Sequence, residues 1–189
     1  MMFLSRLALS LLALNNNKQN NNDGPTSKDK IDQLKARLQM GFEAQTDAQI
    51  AILNGDYPTA AASFADAMNL GRKSALTLHE LEVPDSDKDL QWLIDVCCES
   101  ATVNLFHLQD TAQARKDAWA ACLFSKYTQR TPLELMKAVC IKDDDLMGEL
   151  QACQQLLDLE ELAKEDEERE VISDRLKEIE VQLESKMKQ

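Results

Sequence analysis

The chain has 189 residues, 44% of them hydrophobic, and a formal net charge of −12 at pH 7. This length suits one domain with flanking segments. The acidic balance argues against nucleic acid as a partner, because phosphate binding needs a basic face, and against electrostatic attachment to anionic lipid. The charge is typical of a soluble protein, and a basic partner is the more specific interpretation.

Residue usage predicts an all-α fold. Helix-favouring residues dominate, Gly and Pro number only 5 and 4, and no alternating β-branched runs occur. The five cysteines do not have the spacing of a disulfide framework, which favours a reducing compartment. We therefore expect a cytoplasmic location, with organelle or secretory targeting through residues 1–14 as the alternative.

The N-terminal segment, residues 1–14, is apolar with a single charge at Arg6. It is too short to span a bilayer, which needs about 20 residues. No small-residue cleavage site follows this segment, as a signal peptide would require. A signal-peptide core, an organelle-targeting segment and a peripheral anchor all remain open. Residues 15–29 are rich in Asn, and we expect a disordered linker there.

Helical spacing of apolar residues then predicts a series of helices. The first covers residues 31–54 and ends at Gly55-Asp56, and the second begins near Pro58. Further helices are expected over 89–108, 112–127 and 133–141, and from 146 almost to the C-terminus. Ile172, Leu176, Ile179 and Leu183 form a short heptad seam in the last stretch. That seam predicts a capping helix, with pairing between chains as the alternative.

A repeat is visible in the small residues of successive helices. Residues 54–70 contain Asn-Gly-Asp-Tyr, then Ala60, Phe64 and Ala67 on one helix face. A similar pattern follows Asp110 with Ala114 as the small residue, and a third follows Asp143 with Gly148. Ala114 and Gly148 are 34 residues apart, and Ala60 and Ala114 are 54 apart. We expect the extra residues to lengthen the helices or to loop between 73 and 88.

These motifs resemble tetratricopeptide repeats, whose period is 34 residues. The chain is similar to the three-repeat domains of co-chaperones and large immunophilins over about residues 36–185. The resemblance implies a solenoid of about three helix pairs with a long C-terminal capping helix. The resulting division is 1–29 for the N-terminus and linker, 30–163 for the repeat-like domain and 164–189 for a charged C-terminal helix.

Relatives of that kind bind acidic C-terminal tails with a carboxylate clamp of Lys, Asn and Arg side chains. The matching positions here are Gln45, Gln49, Ser100, Arg130 and Glu134. Only Arg130 retains a suitable charge, and Glu134 reverses one. Because a carboxylate grip needs several convergent cations, we expect poor binding of such tails.

The resemblance also implies a concave groove lined by the first helix of each pair. The register predicts a mixed polar and apolar groove that suits an extended peptide or an amphipathic helix. If the repeats are imperfect, the same side chains face solvent or the C-terminal helix. The predicted groove residues are Gln45, Gln49, Ile52, Ser100, Val103, His107, Arg130 and Lys137.

Sequence motifs of enzymes are missing from the chain. His79 and His107 are the two histidines, and neither has metal-ligand spacing with Cys or Asp. No phosphate-binding glycine motif occurs, and we expect Trp92 and Trp119 to lie in the core or between helices. We therefore expect a protein-interaction module with no catalytic activity, metal or cofactor. The alternatives are an oligomerising helical protein and a membrane-associated or organellar protein.

Overall fold

A computed structural model describes residues 27–81, 91–159 and 166–187, and predictions for residues 1–26 lie outside them. All regular structure in these ranges is helical, which confirms the all-α prediction. A π-helical turn, Val103–Leu108, directly continues the third helix. The helices are α1 (Ser27–Leu53), α2 (Tyr57–Glu80), α3 (Gln91–Thr102), α4 (Thr111–Phe124), α5 (Arg130–Lys142), α6 (Leu146–Leu157) and α7 (Asp166–Met187).

Two predicted helix starts differ from the structure. Residues 27–29, expected in the linker, already belong to α1. The predicted break at Thr131-Pro132 lies inside the first turn of α5, which begins at Arg130. Proline is tolerated there because the first-turn N–H groups have no acceptor within the helix.

Consecutive helices pack as three pairs, α1 with α2, α3 with α4, and α5 with α6. The second helix of each of the first two pairs also packs on the first helix of the next pair. The last helix, α7, packs on α6. The predicted three pairs with a C-terminal helix packed on the last pair are therefore present.

The same turn joins the two helices of each pair. Its last residue is an aspartate, Asp56, Asp110 or Asp145, whose carboxylate accepts a hydrogen bond from the backbone N–H three residues later. Such a cap satisfies a donor that the helix itself leaves free. A residue with positive φ precedes each cap, and at Gly55, where φ is 74°, glycine adopts this conformation without strain.

The spacing of the capping aspartates in the last two pairs differs from the predicted period of 34 residues. Asp110 and Asp145 are 35 residues apart, so the position of Ala60 and Ala114 falls on Glu149 in the third pair. All three side chains are almost completely buried. The predicted match at Gly148 is therefore wrong by one residue, although Gly148 does pack closely, since a Cβ there would lie 2.7 Å from Cys140 Sγ.

Longer helices account for part of the extra chain length between the first two caps, Asp56 and Asp110. Helix α2 has 24 residues whereas α4 has 14. The π-helical turn adds a residue to α3, because the N–H of Asp110 bonds to the carbonyl of Asn104, six residues back. Longer helices were one of the two predicted outcomes, and residues 82–90 lie outside the described ranges.

Trp92 is the largest side chain at the junction of the first two pairs, as predicted for a core position. Its indole contacts Phe42 and donates from Nε1 to Gln45 Oε1 at 2.7 Å. Glycines 41 and 71 leave room for it. By contrast, Trp119 is 53% exposed on α4, so its predicted interior position is wrong.

A buried carboxylate connects α3 to α4. Asp117 accepts hydrogen bonds from the Ser100 hydroxyl at 2.8 Å, from Asn104 at 3.2 Å and from Gln113 at 2.8 Å. Burial raises the pKa of Asp117, although the three neutral donors act in the opposite direction. The network fixes where α3 and α4 meet.

The heptad seam lies against the chain's own third pair. Ile172 and Ile179 are buried there, and Leu176 and Leu183 pack at the edge of the same cluster. Arg175 binds both carboxylate oxygens of Glu149, at 2.7 and 2.9 Å. This is the predicted capping arrangement of the seam.

Candidate functional site

The candidate site is the surface formed by the first helices of the three pairs, α1, α3 and α5. The amides of Gln45 and Gln49 on α1 each donate to a carboxylate oxygen of Glu99 on α3, both at 3.0 Å. Gln91 on α3 and Gln129 at the start of α5 exchange amide hydrogen bonds. These contacts place the three helices side by side, and we call their shared outer surface the first-helix face.

Two rows of side chains on this face follow from the capping aspartates. The residues eleven positions before each cap are Gln45, Glu99 and Glu134, which form the polar row. The residues four positions before each cap form the apolar row. In the apolar row Ile52 is half-buried, Phe106 is 58% exposed and Ile141 is 51% exposed.

The predicted groove residues of α3 do not all reach this surface. Ser100 is buried because its hydroxyl donates to Asp117, and Val103 is buried in the first core cluster. Neither is available to a partner. His107 is exposed, but its ring stacks on Tyr57 at a centroid distance of 3.9 Å, beside the α1–α2 turn.

The α3 residues that do face outward are each next to a predicted one. Glu99 and Thr102 are half-buried at the surface, and Phe106 is exposed. Ser100 and His107 lie one residue beyond the register set by Ala60 and Ala114, in which Gln45 and Ile52 correspond to Glu99 and Phe106. Counting back from Asp110 likewise gives Glu99 and Phe106, whereas the equivalent of Gln49 is the buried Val103 rather than Thr102.

The predicted groove residues of α1 and α5 lie on or beside the face. Gln45 and Ile52 are half-buried and Gln49 is exposed. Arg130 and Lys137 are half-buried on α5. Arg130 binds Glu134 at 2.7 Å and also pairs with Glu168 of α7, and these carboxylates raise the pKa of the Arg130 guanidinium.

The positions that match a carboxylate clamp are already engaged. Glu99 takes the amides of Gln45 and Gln49, Ser100 is buried, and Arg130 is paired with two glutamates. An incoming carboxylate would meet the charge of Glu99 and find its nearest donors occupied. This geometry agrees with the expectation of weak binding to acidic tails, which stays a prediction.

The five cysteines are buried and unpaired with one another. Burial raises the pKa of the Cys97, Cys98 and Cys122 thiols to about 12, so they are protonated at neutral pH. No cluster of three metal-ligating side chains occurs within 27–81, 91–159 and 166–187. In the same ranges, the helices lack the combination of length and apolar character that crossing a bilayer requires.

Comparisons with protein-family models, with curated proteins and with solved structures found no match to this chain.

Proposed function

We propose that the chain is a protein-interaction module of tetratricopeptide type that holds a segment of another protein on the first-helix face. The observation that carries the proposal is the apolar row. Ile52, Phe106 and Ile141 occupy one position in three successive units, yet none is buried. Apolar side chains repeated on an accessible surface are typical of a binding surface rather than a core.

The packing pattern supports an open array. Each pair packs on the next one in the chain, and the first core cluster lies mainly between the first two pairs while the second lies between the third pair and α7. Repeats that contact only their neighbours form solenoids with extended concave surfaces. An extended peptide or an amphipathic helix fits such a surface.

Hydrogen bonds within the chain fix the side chains where α1 and α3 meet on the first-helix face. Glu99 is fixed by two amides, and Gln45 is fixed in turn by the indole of Trp92. Side chains that are ordered before binding lose less conformational entropy when a partner arrives. The face is therefore suited to binding without rearrangement.

The test is selection of a displayed random dodecapeptide library on the full chain, followed by fluorescence anisotropy of the recovered peptides. Phe106→Ser and Ile141→Ser should weaken binding by at least about tenfold, as expected for apolar anchors at an interface. Trp119→Ser is the matched control, because Trp119 is 53% exposed but lies on α4. Recovered peptides that bind Phe106→Ser as tightly as the original chain would overturn the proposal, as would failure to recover any peptide.

A further inference from the structure

We infer that the segment bound on the first-helix face carries a lysine or arginine that lies against α3 and, nearby in its sequence, a bulky apolar residue that packs on Phe106. This inference rests on the proposed function and adds the chemistry of the partner. It follows from the charges next to the apolar row, which differ between α3 and α5.

The two carboxylates on the outer surface of α3 are hydrogen-bonded to neutral groups. Asp95 accepts from the Gln91 amide at 2.8 Å, and Glu99 accepts from the two glutamines of α1. Neither makes an ion pair with a residue in the described ranges. Their negative charges are thus available to a cation of a bound partner. A positive charge therefore complements this surface.

The corresponding position on α5 is different. Glu134, in the same row as Glu99, is bound by Arg130 at 2.7 Å, and Lys137 lies one turn further along. The negative charge is therefore compensated on α5 but not on α3. A partner's cation is drawn to the part of the face between α1 and α3, beside Ile52 and Phe106.

The spacing within α3 sets the spacing expected in the partner. Glu99 and Phe106 are seven residues apart, which corresponds to about 10 Å along a helix. In an extended peptide about three residues cover the same distance. We therefore expect a basic residue and a Leu, Ile, Phe or Met three positions apart, in either order.

The dodecapeptides recovered in the selection above provide the test. They should be enriched in basic and apolar residues three positions apart, as basic–x–x–apolar or apolar–x–x–basic. Glu99→Gln, which retains the shape and one acceptor, should weaken their binding about fivefold, which corresponds to about 1 kcal/mol for a partly exposed ion pair. The loss should disappear in about 1 M salt, where the screening length is about 3 Å. Asp66→Asn, at an exposed carboxylate of α2, is the matched control.

The outcomes separate this inference from the proposed function. Peptides that depend on Phe106 but are indifferent to Glu99→Gln, or that lack basic residues, overturn the inference and leave the proposed function standing. Peptides indifferent to both variants overturn the two together. Self-association abolished by Phe106→Ser would identify a second copy of the chain as the occupant and also overturn the inference. Recovered peptides that reproduce residues 3–14 of this chain would overturn the proposed function, because Arg6 and Leu9 have the expected spacing but belong to the chain itself.

Discussion

The guanidinium of Arg175 holds both oxygens of the buried Glu149 carboxylate, at 2.7 and 2.9 Å. Glu149 occupies the position at which the first two pairs carry alanine. In those pairs the small side chain lets the following helix approach closely. In the third pair the following helix is α7, and a charged pair replaces the close approach.

Arg175→Met should lower the free energy of unfolding by about 2–3 kcal/mol, because it leaves a buried carboxylate without its cation. Adding Glu149→Ala to that variant should restore much of the loss, since alanine is the residue used in the other two pairs. Urea denaturation measures both. Lys177→Met, which removes an exposed ion pair with Asp174, should leave stability nearly unchanged, because solvent screens that pair.

Gly41→Ala should destabilise the chain by about 1–3 kcal/mol, because a Cβ at that position would lie 2.5 Å from Trp92 Cη2. Helix propensity alone would favour alanine over glycine by about 1 kcal/mol. In a Trp92→Phe background the steric conflict is relieved, so the same substitution should become neutral or stabilising. Equal losses in both backgrounds, measured by urea denaturation, would show that the ring is not the cause.

Asp145 stabilises the third turn in two ways, through its cap on Gly148 and through Arg115 at 2.7 Å. Asp145→Ala should cost about 1–2 kcal/mol, whereas Asp145→Asn should cost less because asparagine is also a good cap. The cap and then Arg115 lower the pKa of Asp145. Its contribution is therefore present above the unfolded pKa and lost as the pH falls, and the Asn variant should show a shallower acid-side loss in thermal melts.

The buried thiols should resist alkylation in the folded chain. At pH 8 the Cys97, Cys98 and Cys122 thiols are protonated, because burial raises their pKa to about 12. Iodoacetamide should label none of the three until the chain is unfolded, as read by mass spectrometry. A raised thiol pKa contributes stability below the unfolded value near 9, so the free energy of unfolding should fall as the pH rises above about 9. Rapid labelling of Cys97 in the native chain would contradict this assignment.

Much of the fold was predictable from local signals. The breaks between helices, the apolar spacing and the scarcity of glycine predicted five of the helices to within a few residues. The single stretch predicted from 146 almost to the C-terminus was wrong, because it contains two helices, α6 and α7. The one-residue error in the third unit arose because Gly148 resembles the small residue of the motif, whereas the structural equivalent is a buried glutamate. No sequence pattern predicts a buried Glu149, because its cation, Arg175, is supplied by a helix 26 residues later.

The candidate face was predicted less well than the fold. Gln45, Gln49 and Ile52 of α1 lie on or beside the first-helix face, whereas Ser100 and Val103 of α3 are buried. The π-helical turn was also missed, because a single extra residue leaves no mark in apolar spacing. It is visible in the hydrogen bonding, because the N–H of Asp110 reaches six residues back to Asn104, whereas those of Asp56 and Asp145 reach five residues back.

The carboxylate of Asp117 has a consequence for how the chain avoids misassembly. Helix α4 is rich in alanine, so its apolar surface is smooth and would slide against α3 at little cost in contact area. Any such slip would move the desolvated carboxylate of Asp117 away from its two donors on the neighbouring segment, Ser100 and Asn104, at a cost of several kcal/mol. The buried carboxylate of Asp117 thus favours one alignment of α3 with the alanine-rich α4.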